Sequence, residues 1–174
     1  MKGRRLKSPK TDDVRPTSDK VKEAVFSMLL PWLESGTVCM DVFAGSGNLG
    51  LEAISRGAAK VFFSDSSRES LALCRENASL CGVTDRCVFL SGDFRSNIRR
   101  VKETVDIFFL DPPYADQSIP EALRAIDEAG NCRPGSVAVC EHRHKDSLPE
   151  ELYGFIRIKD RRYGATGVTI YERE

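Results

Sequence analysis

VCMDVFAGSGNLGLEAIS, residues 38–55, opens on an apolar run, breaks on glycines and resumes with helical spacing. Val38–Phe43 reads as a buried strand and Asn48–Ser55 as a helix. Between them Gly45, Gly47 and Gly50 satisfy G-x-G-x-x-G. At a strand-to-helix junction such glycines allow a tight turn and let a ligand approach the backbone. A dinucleotide would rest its pyrophosphate on the helix N-terminus. Asp41, four residues before the first glycine, argues against that ligand, because a carboxylate there repels phosphate and favours a cation. S-adenosylmethionine carries both an ammonium and a sulfonium, so Asp41 points to it.

Working outward, residues 1–16 read as a basic, extended N-terminal segment, and 17–174 as one domain. RPTSDKVKEAVFSML begins a helix with Thr17 or Ser18 as N-cap; Val21, Val25, Met28 and Trp32 keep helical spacing, and Pro31 closes its regular part. After residue 55 the pattern alternates. Strands are expected at Lys60–Ser64, Arg86–Leu90, Val105–Leu110 and Gly135–Glu141, with helices at Arg68–Leu80, Arg95–Lys102 and Ile119–Ala129 between them. Gly154–Lys159 and Gly167–Tyr171 then read as two strands joined by a turn region around DRRYGAT, and so short a connection makes them antiparallel. The expected fold is α/β and Rossmann-like: a seven-stranded, mostly parallel sheet with a C-terminal antiparallel hairpin and helices on both faces.

Ligands of such sheets sit beyond the carboxyl ends of the strands. The second strand ends at Asp65, twenty residues past Gly45, where an acid can accept from a ribose diol. The third ends in Asp93, an acceptor for an adenine amino group, and Phe94, which either covers the ring face or packs in the core. The fourth ends in Asp111-Pro112-Pro113-Tyr114. Two prolines remove two backbone donors and fix two φ angles. The result is a stiff loop of free carbonyls between an acid and a flat ring, and the alternative reading is a rigid turn with a packed tyrosine.

Bulk properties narrow the class. The 174 residues are 41% hydrophobic and 30% charged, ordinary for a globular domain. No apolar run approaches the ~20 residues of a membrane span, and MKGRRLKSPK lacks the apolar core of a signal peptide, so a cytoplasmic protein with no membrane partner is expected. The six cysteines form no C-x-x-C pair and the two histidines stand at no zinc-finger spacing, so reduced core thiols and no metal are expected. Net charge is zero, but residues 1–22 hold eight basic against three acidic side chains, +5, leaving −5 for the remainder. That asymmetry suggests an anionic partner near the N-terminus, against the plainer reading of a solvated tail.

DVFAGSGNLGLEAISRGA with DPPY resembles class I S-adenosylmethionine-dependent methyltransferases that modify exocyclic amino groups. GRRLKSP, RPTSDKVKEAVFSML and YGATGVTIYERE narrow the resemblance to the bacterial RsmD family, over nearly the whole chain. The family commonly has glutamate where this chain has Asp65. The resemblance implies methyl transfer from S-adenosyl-L-methionine, leaving S-adenosyl-L-homocysteine, to N2 of one guanine of 16S rRNA, guanine 966, in the small ribosomal subunit or its assembly intermediate. It implies Asp41, Phe43, Gly45, Gly47, Asp65, Asp93 and Phe94 around the donor, and Asp111, Pro112, Pro113 and Tyr114 at the target base. Arg4, Arg5, Lys7, Arg15, Thr17, Arg161 and Arg162 are the expected RNA contacts, with Arg157 and Lys159 in the same basic hairpin. A monomer is expected. Two alternatives stay open: a DNA adenine or cytosine amino-methyltransferase, for which the chain leaves little room for target recognition, and a non-methylating Rossmann nucleotide-binding protein, which Asp41 and the D-P-P-Y loop disfavour.

Overall fold

Eight strands form one sheet in the computed structural model, which describes residues 5–8, 18–113 and 117–174. In chain order they are β1 (Val38–Asp41), β2 (Lys60–Asp65), β3 (Cys87–Ser91), β4 (Ile107–Leu110), β5 (Val137–Arg143), β6 (Glu151–Leu152), β7 (Phe155–Tyr163) and β8 (Thr166–Arg173). Five α-helices accompany them among the described residues: α1 (Asp19–Met28), α2 (Asn48–Ser55), α3 (Arg68–Leu80), α4 (Phe94–Arg100) and α5 (Ser118–Ala129). The spatial order is β3-β2-β1-β4-β5-β8-β7-β6. β1 to β5 pair in parallel, whereas β8 runs antiparallel to both β5 and β7.

Consecutive residues of the parallel strands point to opposite faces, and the core divides accordingly. Cys39, Val61, Phe63, Ile107, Phe109, Val137 and Val139 pack with α1, α2 and α3. Met40, Phe62, Phe108, Leu110, Ala138 and Cys140 pack with α4 and α5. Strands buried on both faces explain the unbroken apolar runs in the sequence. Ser18 caps α1, its hydroxyl accepting from the Val21 N–H at 3.3 Å, and Pro31 falls in a single 3-10 turn, Leu30–Trp32, beyond the helix.

Two expectations need correction. The sheet has eight strands, not seven: Glu151–Leu152 pairs with Phe155–Ile156 across a two-residue turn. Tyr153 (φ 50°) and Gly154 (φ 79°) both take positive φ, the requirement of a type I′ hairpin turn. A two-residue strand leaves no periodic signature in a sequence. The C-terminal hairpin is also longer than expected, for β7 and β8 pair up to Tyr163–Thr166 and only Gly164-Ala165 turns. Gly164 has φ 61°, at the position where a II′ turn favours glycine. The charged run Asp160-Arg161-Arg162 therefore belongs to a strand, where side chains on an exposed ladder remain solvated.

Candidate active site

The glycine turn is shaped by contacts that only glycine permits. Gly45 (φ 54°) and Gly47 (φ 85°) occupy the left-handed region. A Cβ on Gly47 would lie 2.6 Å from Cys74 Sγ, and one on Gly50 would lie 2.4 Å from Phe63 Cε1. Gly50 thus lets α2 press against β2. At Gly45 an added Cβ meets no atom within 4 Å, so space for a ligand opens on that side of the turn.

Asp41 ends β1 and is buried, 1% exposed. Its Oδ2 accepts the Gly50 N–H at 3.0 Å, satisfying a donor in the first turn of α2, which has no side-chain cap of its own. Its Oδ1 is buried with no hydrogen-bond partner among the described residues. Burial pushes the Asp41 carboxyl up to about 7; the Gly50 hydrogen bond opposes this, and the charges of Asp111 and Asp65 add to it. Those two acids follow β4 and end β2, the strands that flank β1. Strand order reverses between β1 and β4, so the carboxylates gather at the topological switch point.

Asp65 is engaged by backbone donors on both oxygens. Oδ2 accepts the Gly45 N–H at 2.9 Å and Oδ1 the Ser67 N–H at 2.8 Å. Each carboxylate oxygen has a second lone pair, so Asp65 can still accept from a diol while it holds the turn in shape. Asp93 caps α4, Oδ1 accepting the Arg95 N–H at 2.9 Å, and pairs with the Arg95 guanidinium at 2.8 Å. That guanidinium holds the Asp93 carboxyl below its usual range. Phe94 is half-buried, 4.9 Å from Phe43 between ring centroids, with the Arg95 guanidinium 4.8 Å from its ring centroid. Both rings also pack on the core, the second of the two readings of Phe94.

Asp111 and Pro112 are partly buried and Pro113 is exposed. Leu110 pairs with Cys140, Glu141 with Val168, and Val168 with Arg161. Asp111, one residue past the last β4 pair, is therefore level with Glu141, Val168 and Arg161. Arg161 stands three strands from Asp111, ~14 Å at the usual strand spacing. Arg161 and Arg162 are exposed and donate to the carbonyls of Asp160 and Gly164. Arg5 is exposed, and Lys7 forms an ion pair with Glu76. Arg4, Arg15, Thr17 and Tyr114 lie outside the described residues. Among the described residues, no group of three or more His, Cys, Asp or Glu side chains is arranged to hold a metal ion, and no helix is long and apolar enough to cross a membrane.

Two buried asparagines, which motif reading passed over, hold the loops of the site. Asn97 Nδ2 donates to Ser64 Oγ, to the Leu90 carbonyl and to the Gly92 carbonyl, tying the end of β3 to β2. Asn77 Nδ2 donates to the Ser46 carbonyl inside the glycine turn at 3.0 Å. The available signal is polarity on an apolar stripe: Asn77 shares its helix face with Leu71, Cys74 and Ala78.

The residues present fit a cationic nucleoside ligand: a buried carboxylate oxygen without a partner among the described residues, two more acids beside it, and a glycine turn with open space. Comparison with known proteins agrees in fold and family. The chain is 34% identical over 175 residues to YlbH of Bacillus subtilis (strain 168), named provisionally as an rRNA methyltransferase, covering 99% of this chain and 95% of that protein. It is 29% identical to ribosomal RNA small subunit methyltransferase D of Escherichia coli (strain K12), covering 99% and 86%. The solved structure of Escherichia coli yhhF superposes with a TM-score of 0.88 at 26% identity, covering 99% and 93%. The family profile described as "Conserved hypothetical protein 95" matches residues 1–172, and the chain accordingly belongs to that family, the RsmD family.

Proposed function

We propose that this protein transfers a methyl group from S-adenosylmethionine to the exocyclic N2 amine of a guanine in small-subunit rRNA. The observation that carries the reading is the juxtaposition at the switch point: Asp111-Pro112-Pro113 leaves β4 directly beside the Asp41 glycine turn of β1. A cation-favouring pocket and an amine-gripping corner then adjoin each other. Names of the relatives support rRNA as the substrate.

Bound S-adenosylmethionine supplies a methyl group activated by the attached sulfonium. The glycine turn, with Asp41 and Asp65, would hold the donor by backbone approach and by charge, and Phe43, Asp93 and Phe94 would border its base. A guanine amino nitrogen is a poor nucleophile because its lone pair is delocalised into the ring. The Asp111 carboxylate and the Pro112 carbonyl accept its two hydrogens, which turns the lone pair out of that conjugation. The prolines contribute no backbone N–H of their own to this corner and keep it stiff. Proximity and alignment supply much of the rate, and Asp111 stabilises the positive charge that grows on nitrogen. Loss of one of the two amino hydrogens as a proton, with S-adenosylhomocysteine as the leaving thioether, completes N2-methylguanine. Tyr114 stacks on a base taken out of its helix, a contact worth ~1–3 kcal/mol. Arg161 and Arg162, level with this corner on β7, contact phosphate together with Arg4, Arg5, Lys7, Arg15 and Thr17 of the N-terminal segment.

The test is methyl transfer to small-subunit particles from a strain lacking this gene, with the modified base identified by mass spectrometry. N2-methylguanine in 16S rRNA, at guanine 966 by family analogy, is the expected product, and Asp111→Ala should abolish its formation while retaining donor affinity. A methylated adenine or cytosine, or an Asp111→Ala variant of full activity, would overturn the reading.

A further inference from the structure

Asn77 is 0% exposed in the middle of α3. Its carboxamide is shared between two segments far apart in sequence. Oδ1 accepts the Lys7 N–H at 2.8 Å, and Nδ2 donates to the Lys7 carbonyl at 3.1 Å. The same Nδ2 donates to the Ser46 carbonyl at 3.0 Å. Ser46 lies between Gly45 and Gly47, the two residues that give the turn its left-handed shape. The N-terminal segment is further anchored by Leu6 on the core and by the Lys7–Glu76 ion pair. A buried amide presented with fewer partners than it can engage is costly, so one side chain serves both segments.

We infer that Asn77 is a positioning residue that couples docking of the basic N-terminal segment to the geometry of the glycine turn. The inference rests on the methyl-donor reading of that turn. When Lys7 occupies its place, the Asn77 amide plane is held with one N–H aimed at Ser46, and the turn is preformed for the donor. When the segment leaves, the amide is free to rotate toward other acceptors and the turn loses that constraint. Linkage makes the effect reciprocal: a donor that selects the preformed turn strengthens docking of residues 5–8. The segment that carries Arg5 and Lys7 would then be ordered for its polyanionic substrate in the donor-loaded protein.

Calorimetry with S-adenosylhomocysteine tests this on the full-length chain. Lys7→Pro removes the N–H given to Asn77 and should weaken binding by about three- to tenfold, the range for one lost hydrogen bond. Asn77→Ala should weaken it by about tenfold or more. The double variant should bind no more weakly than Asn77→Ala alone, because both substitutions break one path. Glu76→Gln, which removes only the ion pair, should leave binding within about twofold, as for exposed pairs. If Asn77→Ala fails to fold, the unmodified protein still decides: S-adenosylhomocysteine should slow hydrogen exchange at the Lys7 amide. Multiplicative effects in the double variant, Lys7→Pro binding as tightly as the unmodified chain, or unchanged exchange at Lys7 would each overturn the coupling. If the unmodified chain bound no S-adenosylhomocysteine at all, the donor reading would fail and this inference with it.

Discussion

Asp41 carries a measurable consequence of its burial. Its carboxyl, raised from 3.8 to about 7 chiefly by desolvation, costs the ligand-free fold at most ~4 kcal/mol when ionised, at about 1.4 kcal/mol per pH unit. Between pH 4 and pH 7 the native state holds a proton that the unfolded chain has lost. Stability contributed by this group therefore falls as pH rises through that window and levels off above 7. Asp41→Asn keeps an oxygen for the Gly50 N–H and cannot ionise. Its buried amide hydrogens shift the absolute stability, but the variant should lack the slope. Urea unfolding of both proteins from pH 4.5 to 8 should give profiles that converge toward, or cross in, the neutral range. Parallel profiles would refute the argument. A cation seated against Asp41 requires the carboxylate, so donor binding at pH 6 should release close to one proton, seen as a buffer-dependent heat in calorimetry. Release should vanish above pH 8, and affinity should drop by about tenfold per pH unit below 7.

The glycines provide a contrast. Gly50→Ala drives a methyl into Phe63 and Val61, 2.4 Å and 2.9 Å away, and should destabilise by ~1–3 kcal/mol in thermal unfolding. Gly45→Ala meets no atom but must hold φ 54°, for a cost of ~1–2 kcal/mol, and its added methyl should also weaken donor binding, since it occupies the open side of the turn. On the basic strand, Arg161→Ala with Arg162→Ala should leave stability within ~0.5 kcal/mol, since both are exposed. The pair should weaken RNA binding and lower its salt slope by about one for every phosphate no longer neutralised; an unchanged slope would exclude them from the interface.

Much of this protein was legible along the chain because the deciding interactions are local. Apolar runs bounded by turn residues mark the strands, steric freedom restricts the turn to glycine, and prolines stiffen the corner after β4 wherever that corner lies. Asp41, Asp65 and Asp111 were readable as acids at strand ends for the same reason. Their convergence was not, since it depends on β1 lying between β2 and β4, a pairing of segments many residues apart. Burial of Asp41, and so its raised carboxyl, follows only from that packing. Asp93 was readable as an acid at a strand end, but its pairing with the Arg95 guanidinium two residues on was not. β6 and the bond between Asn77 and Lys7, 70 residues apart, leave no periodic trace: a two-residue strand is too short, and a single buried amide acquires its partners only when distant backbone is brought to it.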